Sequence, residues 1–314
     1  MRLRLLRRNS VQTALGVAVL SLVSAGCHRH YVLHPKHPVT GVEEWSEQAE
    51  RDGLEMRFAW ARPLGSGPFP TVLVHPEAWS DAKDMRGILR SLALEGYLAV
   101  AVDYRRQPTP ERPKSTFFVW QGPEDASAAV DHVLTQPEVD SDRLAAIGYS
   151  QGAMYSLLIA AYTGKVSTVV AYYPIADIEA WLHDDEGRNW ATRQAFKWVR
   201  RTFRKRSGAE SLEEYRGMLR AGSPVHHAAT IDVPVLLVHG HADKRVNVKE
   251  SRRIAQALRD RSRDVELVEI DRGKHVFNFK NAEQAQEAWL LTLAWLEENL
   301  PPPLPRSVSS GQRY

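Results

Sequence analysis

Two hydrophobic periods alternate along most of the chain. Short unbroken apolar runs, as in strands buried on both faces, give way to stretches with apolar residues every three or four positions, as in one-sided helices. The runs predict strands over 71–75, 97–103, 144–147, 167–173, 233–239 and 265–270, with one more over 54–62. Helices are predicted over 81–95, 123–134, 153–161, 248–258 and 282–300; the first sets Met85, Ile88, Leu89 and Leu92 on or near one face. Strand and helix in turn mean an α/β domain with a mostly parallel, doubly wound sheet. In such sheets, sites gather at the carboxyl ends of the strands. One connection breaks the rhythm. Residues 176–230 are far too long for a plain link, and they carry Trp181, Trp190, Phe196, Trp198 and Phe203 at roughly helical spacing. They predict a helical cap inserted over the site, against a helical insertion packed at the side.

The ends of the chain do not follow this pattern. Four arginines fall within residues 1–8, and residues 11–26 are uncharged and mostly apolar. That is the layout of a secretory signal, too short for a comfortable membrane span. It runs into Leu22-Val-Ser-Ala-Gly-Cys27, which resembles the bacterial lipobox, with Ser24 where leucine is more usual. The expectation is cleavage before Cys27 and lipidation of that residue, giving an exported, membrane-anchored lipoprotein of the cell envelope. An ordinary cleaved signal or an uncleaved anchor would leave Cys27 unmodified. Residues 28–52, with His28, His30, His34 and His37 among prolines and polar residues, read as a solvated tether rather than a metal site. The α/β domain is expected over 53–300, and 301–314, opening with three prolines, as a disordered tail.

Composition adds mainly exclusions. The 314 residues are 43 % hydrophobic and 25 % charged, enough for one large domain to bury its own core. The net charge of +3 is concentrated at the N-terminus and in Arg200-Arg-Thr-Phe-Arg-Lys-Arg206, and the basic residues trace no nucleic-acid-binding module. The run at 200–206 reads as a solvated helix face, with contact to anionic lipid or an acidic substrate as the sharper alternative. Cys27 is the single cysteine, so the fold holds no intramolecular disulfide, no cysteine metal cluster and no cysteine nucleophile. No cofactor or metal is called for.

The chemistry centres on Gly148-Tyr149-Ser150-Gln151-Gly152, set between the strand at 144–147 and the helix at 153–161. A G-x-S-x-G pentad alone is weak. Between a strand and a helix it predicts a nucleophile elbow, with the serine forced outward near the helix's positive end. A serine needs a base, and the base needs a third group to hold it. The chain order expected for this architecture is serine, acid, histidine. His275, in the loop after the strand at 265–270, is the histidine that remains C-terminal to the best acid. That acid is Asp243, just past the strand at 233–239; its alternative role is a turn or cap aspartate. Asp177 is the fallback, whereas Asp232 and Asp264 precede their strands and lie at the wrong edge. The oxyanion requires two backbone N–H donors, expected from Gln151 and from Glu77 or Ala78, since Pro76 has none. The Glu77 side chain either faces solvent or turns inward beside the serine.

These residues, together with Glu124-Asp-Ala-Ser-Ala-Ala-Val-Asp-His-Val133, Ser223-Pro-Val, Val233-Pro-Val-Leu-Leu-Val-His-Gly-His-Ala-Asp243 and Gly273-Lys-His275, resemble the α/β-hydrolase superfamily. Within it the chain is similar to the catalytic domains of peptidase S9 (prolyl oligopeptidase) and to the dienelactone hydrolases. The resemblance covers about residues 55–300 and implies Ser150, Asp243 and His275 as the triad. The chain departs from both groups. It has no room for the β-propeller of the peptidases, and His75-Pro-Glu-Ala-Trp79 stands where they carry His-Gly-Gly. Dienelactone hydrolases typically use a cysteine where this chain has Ser150. The expected activity is acyl hydrolysis of a small ester through an acyl-enzyme, with a short-peptide or acyl-peptide substrate second and a lactone third. A binding lipoprotein that reuses the fold without catalysis is the non-enzymatic alternative.

Overall fold

A computed structural model of the chain describes residues 33, 41–51, 54–78, 80–103 and 122–302. The expectations for the signal, Cys27, the first part of the tether and the tail beyond 302 lie outside the described residues. Eight strands form one sheet: β1 (Val42–Arg51), β2 (Leu54–Pro63), β3 (Phe69–His75), β4 (Leu98–Val102), β5 (Val139–Tyr149), β6 (Thr168–Tyr172), β7 (Val235–Gly240) and β8 (Val265–Ile270). Their order is β1-β2-β4-β3-β5-β6-β7-β8. The pairings of β2 with β1 and β4 are antiparallel, and the rest are parallel. This is the expected α/β-hydrolase architecture.

Strands β3, β4, β6 and β7 are buried at every position because helices cover both faces of the sheet. Alternate residues feed two cores. Leu73, Val100, Ala146 and Leu237 pack on one side, Val72, Ala99, Ile147 and Leu236 on the other. Outside them lie α1 (Arg86–Leu94), α2 (Gly122–Val133), α3 (Gln151–Thr163), α7 (Lys249–Arg259), the one-turn α8 (Phe277–Lys280) and α9 (Ala282–Asn299). Residues 151–160 of α3 are all buried, in keeping with a run that is apolar nearly all round.

The first strand is a correction to the sequence reading. Residues 42–51 were expected in the tether, yet they pair along their whole length with β2, so the sheet begins about ten residues before the expected boundary at 53. The reason is physical: β1 is an edge strand, and its many charges are what keeps an open edge from pairing with other chains. Its few apolar anchors suffice. Trp45 lies directly opposite Trp60 and stacks on it with ring centroids 5.6 Å apart, and Glu47 accepts from the Trp60 indole at 3.0 Å.

The long insertion is helical, as expected: α4 (Ile178–His183), α5 (Trp190–Ser207) and α6 (Leu212–Ala221). Asp177, Asn189 and Ser211 cap the three helices by accepting from the third N–H beyond each. Of its aromatic residues, Trp181, Phe196 and Phe203 are buried, whereas Trp190 is 76 % exposed and packs no core. The base of the insertion is bolted to the sheet. Buried Glu250, on α7, accepts from the backbone N–H groups of Ala176 and Asp177 at 3.0 and 2.8 Å. Burial raises the Glu250 pKa, opposed chiefly by Arg253.

Candidate active site

The strand order reverses direction at β3: the chain lays β4 on one side of it and then crosses back to lay β5 on the other. The carboxyl ends of β3 and β5 therefore flank a crevice, the place where α/β sheets collect their sites. His75 lies level with Gly148, Tyr149 with Tyr172, Tyr172 with Val238, and Gly240 with Ile270. Parallel pairing thus delivers the turns that follow β3, β5, β6, β7 and β8 to one edge.

Ser150 stands between β5 and α3 with φ 55° and ψ −113°, outside the regions that a residue with a side chain adopts without strain. Its N–H is held by the Tyr172 carbonyl at 2.9 Å. Two glycines permit the turn. A Cβ on Gly148 would strike the backbone of Gly152, and one on Gly152 would strike the carbonyls of His75 and Pro76. The second contact does more than allow the elbow, because it sets the turn after β3 against the start of α3. The N–H groups of Gln151 and of Glu77 and Ala78 are thereby brought to the same edge, and the first N–H groups of a helix have no partner within it.

Asp243 and His275 are joined: His275 Nδ1 lies 2.6 Å from Asp243 Oδ2. Asp243 Oδ1 accepts from the backbone N–H groups of Arg245 and Val246 at 2.8 and 3.0 Å. Burial would raise the Asp243 pKa, but His275, through its charge and its hydrogen bond, and His239, whose Nε2 lies 3.6 Å from Asp243 Oδ2, outweigh it and hold the carboxyl well below its usual range. As an ionised acceptor it fixes His275 as the Nδ1–H tautomer, leaving Nε2 free to take a proton. The Ser150 hydroxyl and the His275 ring form no hydrogen bond among the described residues. Such contacts commonly close only with substrate in place.

The two loops meet through a second glycine pair. A Cβ on Gly240 would strike the Gly273 carbonyl, and the Ala242 N–H donates to that carbonyl at 2.9 Å. Asp177, the fallback acid, is instead the cap of α4, with its carboxylate accepting from the Ala180 N–H at 3.0 Å. Asp232 is ion-paired with Arg263 before β7, and Asp264 precedes β8, so both lie at the other edge.

Sequence reasoning missed two supporting residues, Tyr173 and His239. Tyr173, directly after β6, has φ 42° and is fully buried. Its ring meets the His275 ring edge-on at 4.8 Å, and its hydroxyl donates to Asn278 Oδ1 at 2.7 Å, tying the histidine loop to the sheet. Burial, then Glu77, raises its pKa far above the ordinary value. Glu77 is half-buried, in the turn after β3. Buried His239 contacts Ser251 Oγ through Nδ1 at 2.7 Å and the Val246 carbonyl through Nε2 at 3.0 Å, bracing the Asp243 loop from beneath. His75 is driven by burial to a pKa of about 3 and is neutral. The only sequence signal for Tyr173 and His239 was their place one step outside and one step inside a strand end, where both pass for ordinary strand residues. Among the described residues no cluster of three or more His, Cys, Asp or Glu could hold a metal ion.

The chain is similar in sequence or fold to several known hydrolases. The "Putative carboxymethylenebutenolidase" of Escherichia coli K12 is 26 % identical over 262 residues, covering 78 % of this chain and 83 % of that protein. An acylaminoacyl peptidase of Pyrococcus horikoshii superposes with a TM-score of 0.67 at 16 % identity. That match covers 84 % of this chain and 42 % of the peptidase, so the chain spans less than half of the larger enzyme. The Est2 esterase of Thermogutta terrifontis superposes with a TM-score of 0.63 at 20 % identity, covering 83 % of this chain and 96 % of the esterase. The Dienelactone hydrolase family profile matches residues 56–300, from the second strand through the last helix. With the match running through every strand and loop that builds the crevice, the chain belongs to the dienelactone hydrolase family.

Proposed function

We propose that the protein is a serine hydrolase that cleaves a small carboxylic ester through an acyl-enzyme. The observation that carries this reading is the Asp243–His275 hydrogen bond at the same sheet edge as a strained, glycine-flanked Ser150. His275 Nε2 takes the hydroxyl proton as Ser150 Oγ attacks the carbonyl carbon. The resulting oxyanion is received by the N–H of Gln151 and that of Glu77 or Ala78, each donor supplying about 10²–10³ in rate. The protonated imidazole gives its proton to the leaving oxygen, the alcohol departs, and water repeats the sequence on the acyl-enzyme.

A short-peptide substrate is the second reading, supported by the structural likeness to an acylaminoacyl peptidase, and a lactone the third, supported by the family. Hydrolysis of p-nitrophenyl esters of graded acyl length, run beside peptide anilides, separates them. The proposal predicts turnover of the short esters and little of the anilides; anilide turnover at equal or greater kcat/KM would transfer the assignment to a peptidase. Export and lipidation at Cys27 are proposed on the sequence signal alone. The mass of the mature N-terminus checks them, and an unmodified Cys27 would remove the lipid anchor.

A further inference from the structure

We propose that the outward face of α5 is a docking surface for an anionic phospholipid bilayer. Helix α5 is held to the body by Phe196 and Phe203, both buried, and by Arg200, whose Nη1 donates to the Leu182 carbonyl at 2.7 Å. Arg193, Lys197, Arg201, Arg204 and Lys205 are exposed. Steps of four, four, three and one place them along one flank of the helix, turned away from Phe196 and Phe203. Residues 193–205 extend about 18 Å along the axis, a straight row of cations rather than a pocket.

The row is not neutralised by its neighbours. Among the described residues Arg193, Lys197, Arg201 and Lys205 enter no ion pair, and Arg204 lies over the Tyr215 ring at 5.7 Å. Of the acidic residues near it in the chain, Glu186 pairs with Lys249, Glu179 with Arg216, and Glu214 accepts from the Glu210 N–H beyond the helix's C-terminal end.

The second feature is Trp190, the first residue of α5, three positions before Arg193 and 76 % exposed. An indole left in water at the end of a cationic row matches the headgroup boundary of a bilayer, where tryptophan places its ring and its N–H together. Cations near an anionic membrane surface each strengthen partitioning roughly fivefold. A convex helix face offers no groove to enclose a peptide or to track a single strand of nucleic acid. A fluid anionic surface asks for none.

The test uses the full chain with Cys27→Ser, so that no acyl chain contributes and the N-terminal segment is common to every arm. Partition onto phosphatidylcholine–phosphatidylglycerol vesicles is compared with partition onto pure phosphatidylcholine, at low and high salt. The expected result is selective, salt-sensitive binding to the mixed vesicles, reduced about 10²-fold by Lys197→Glu with Arg201→Glu. Both side chains are exposed and make no hydrogen bond or ion pair among the described residues, so that variant keeps its melting temperature and ester hydrolysis. Quenching by brominated lipid should be weaker in Trp190→Phe than in the parent protein. Undiminished binding of the charge-reversed protein, equal binding to both vesicle types, or quenching unchanged in Trp190→Phe would overturn the proposal. So would retention of an acidic peptide or DNA by a protein that ignores the mixed vesicles.

Discussion

Ser150→Ala lowers kcat for a good p-nitrophenyl ester about 10⁶-fold, to the residual rate that the oxyanion donors and substrate binding sustain alone. The effect is large because His275 and Asp243 act only through the Ser150 oxygen; without it the imidazole has no hydroxyl proton to accept. The substitution removes one oxygen from a side chain that caps nothing, since Ser150 makes no side-chain bond to the helix behind it. Fold and melting temperature should therefore remain those of the parent. Progress curves at high enzyme concentration give the measurement. A loss below about 10²-fold would mean that another group carries the attack.

Asp243→Asn should lower kcat about 10⁴-fold while KM changes little. The asparagine amide can present an N–H to His275 Nδ1 and so favour the opposite tautomer, with the ring's proton on Nε2, where it cannot accept from serine. Protein stability adds a second signature. Because the Asp243 carboxyl is held below its usual range in the folded state, its ionised form stabilises the fold above the pH at which a free aspartate titrates, about 3.9. That contribution begins to fade below this pH and is lost as the pH falls on through the depressed pKa of the folded state. The gap in melting temperature between parent and Asp243→Asn should thus be widest at neutral pH and narrow towards about pH 3. A gap that stayed constant would show that the carboxylate charge is not what holds the loop.

Much of this site was legible before any coordinates. The pentad at 148–152 between an apolar run and a helix marks the elbow, and the order serine, acid, histidine leaves few choices. The apolar runs mark the buried parallel strands for the same reason: a strand covered on both faces has no polar position to interrupt it. What escaped was of two kinds. The edge strand Val42–Arg51 carries charge on both faces, so its pattern looks like a tether until Trp45 is seen against Trp60. The start of β5 escaped likewise, because Asp140, Ser141 and Asp142 are partly or fully exposed although Val139 pairs with Phe69.

The second kind consists of residues whose role is relational. Tyr173 has the composition of a strand end, and only its contact with His275 and its bond to Asn278 show that it holds the histidine loop. His239 likewise reads as a strand residue, yet it braces the loop of Asp243. Glu250 passes for an ordinary acid in the first turn of α7, and only the fold brings its carboxylate to the base of the insertion. No spacing rule announces such partners, since they lie far apart in the chain and meet only through the sheet.

The most direct measurement of the central claim is the site of covalent capture by a fluorophosphonate. Its phosphorus accepts the activated serine oxygen, fluoride leaves, and the adduct is stable enough to be mapped by peptide mass. The account predicts one phosphonyl group per chain, on the peptide containing Ser150, with esterase activity lost in step with labelling. An adduct on a different residue, or full ester hydrolysis by a protein that takes up no label, would contradict it.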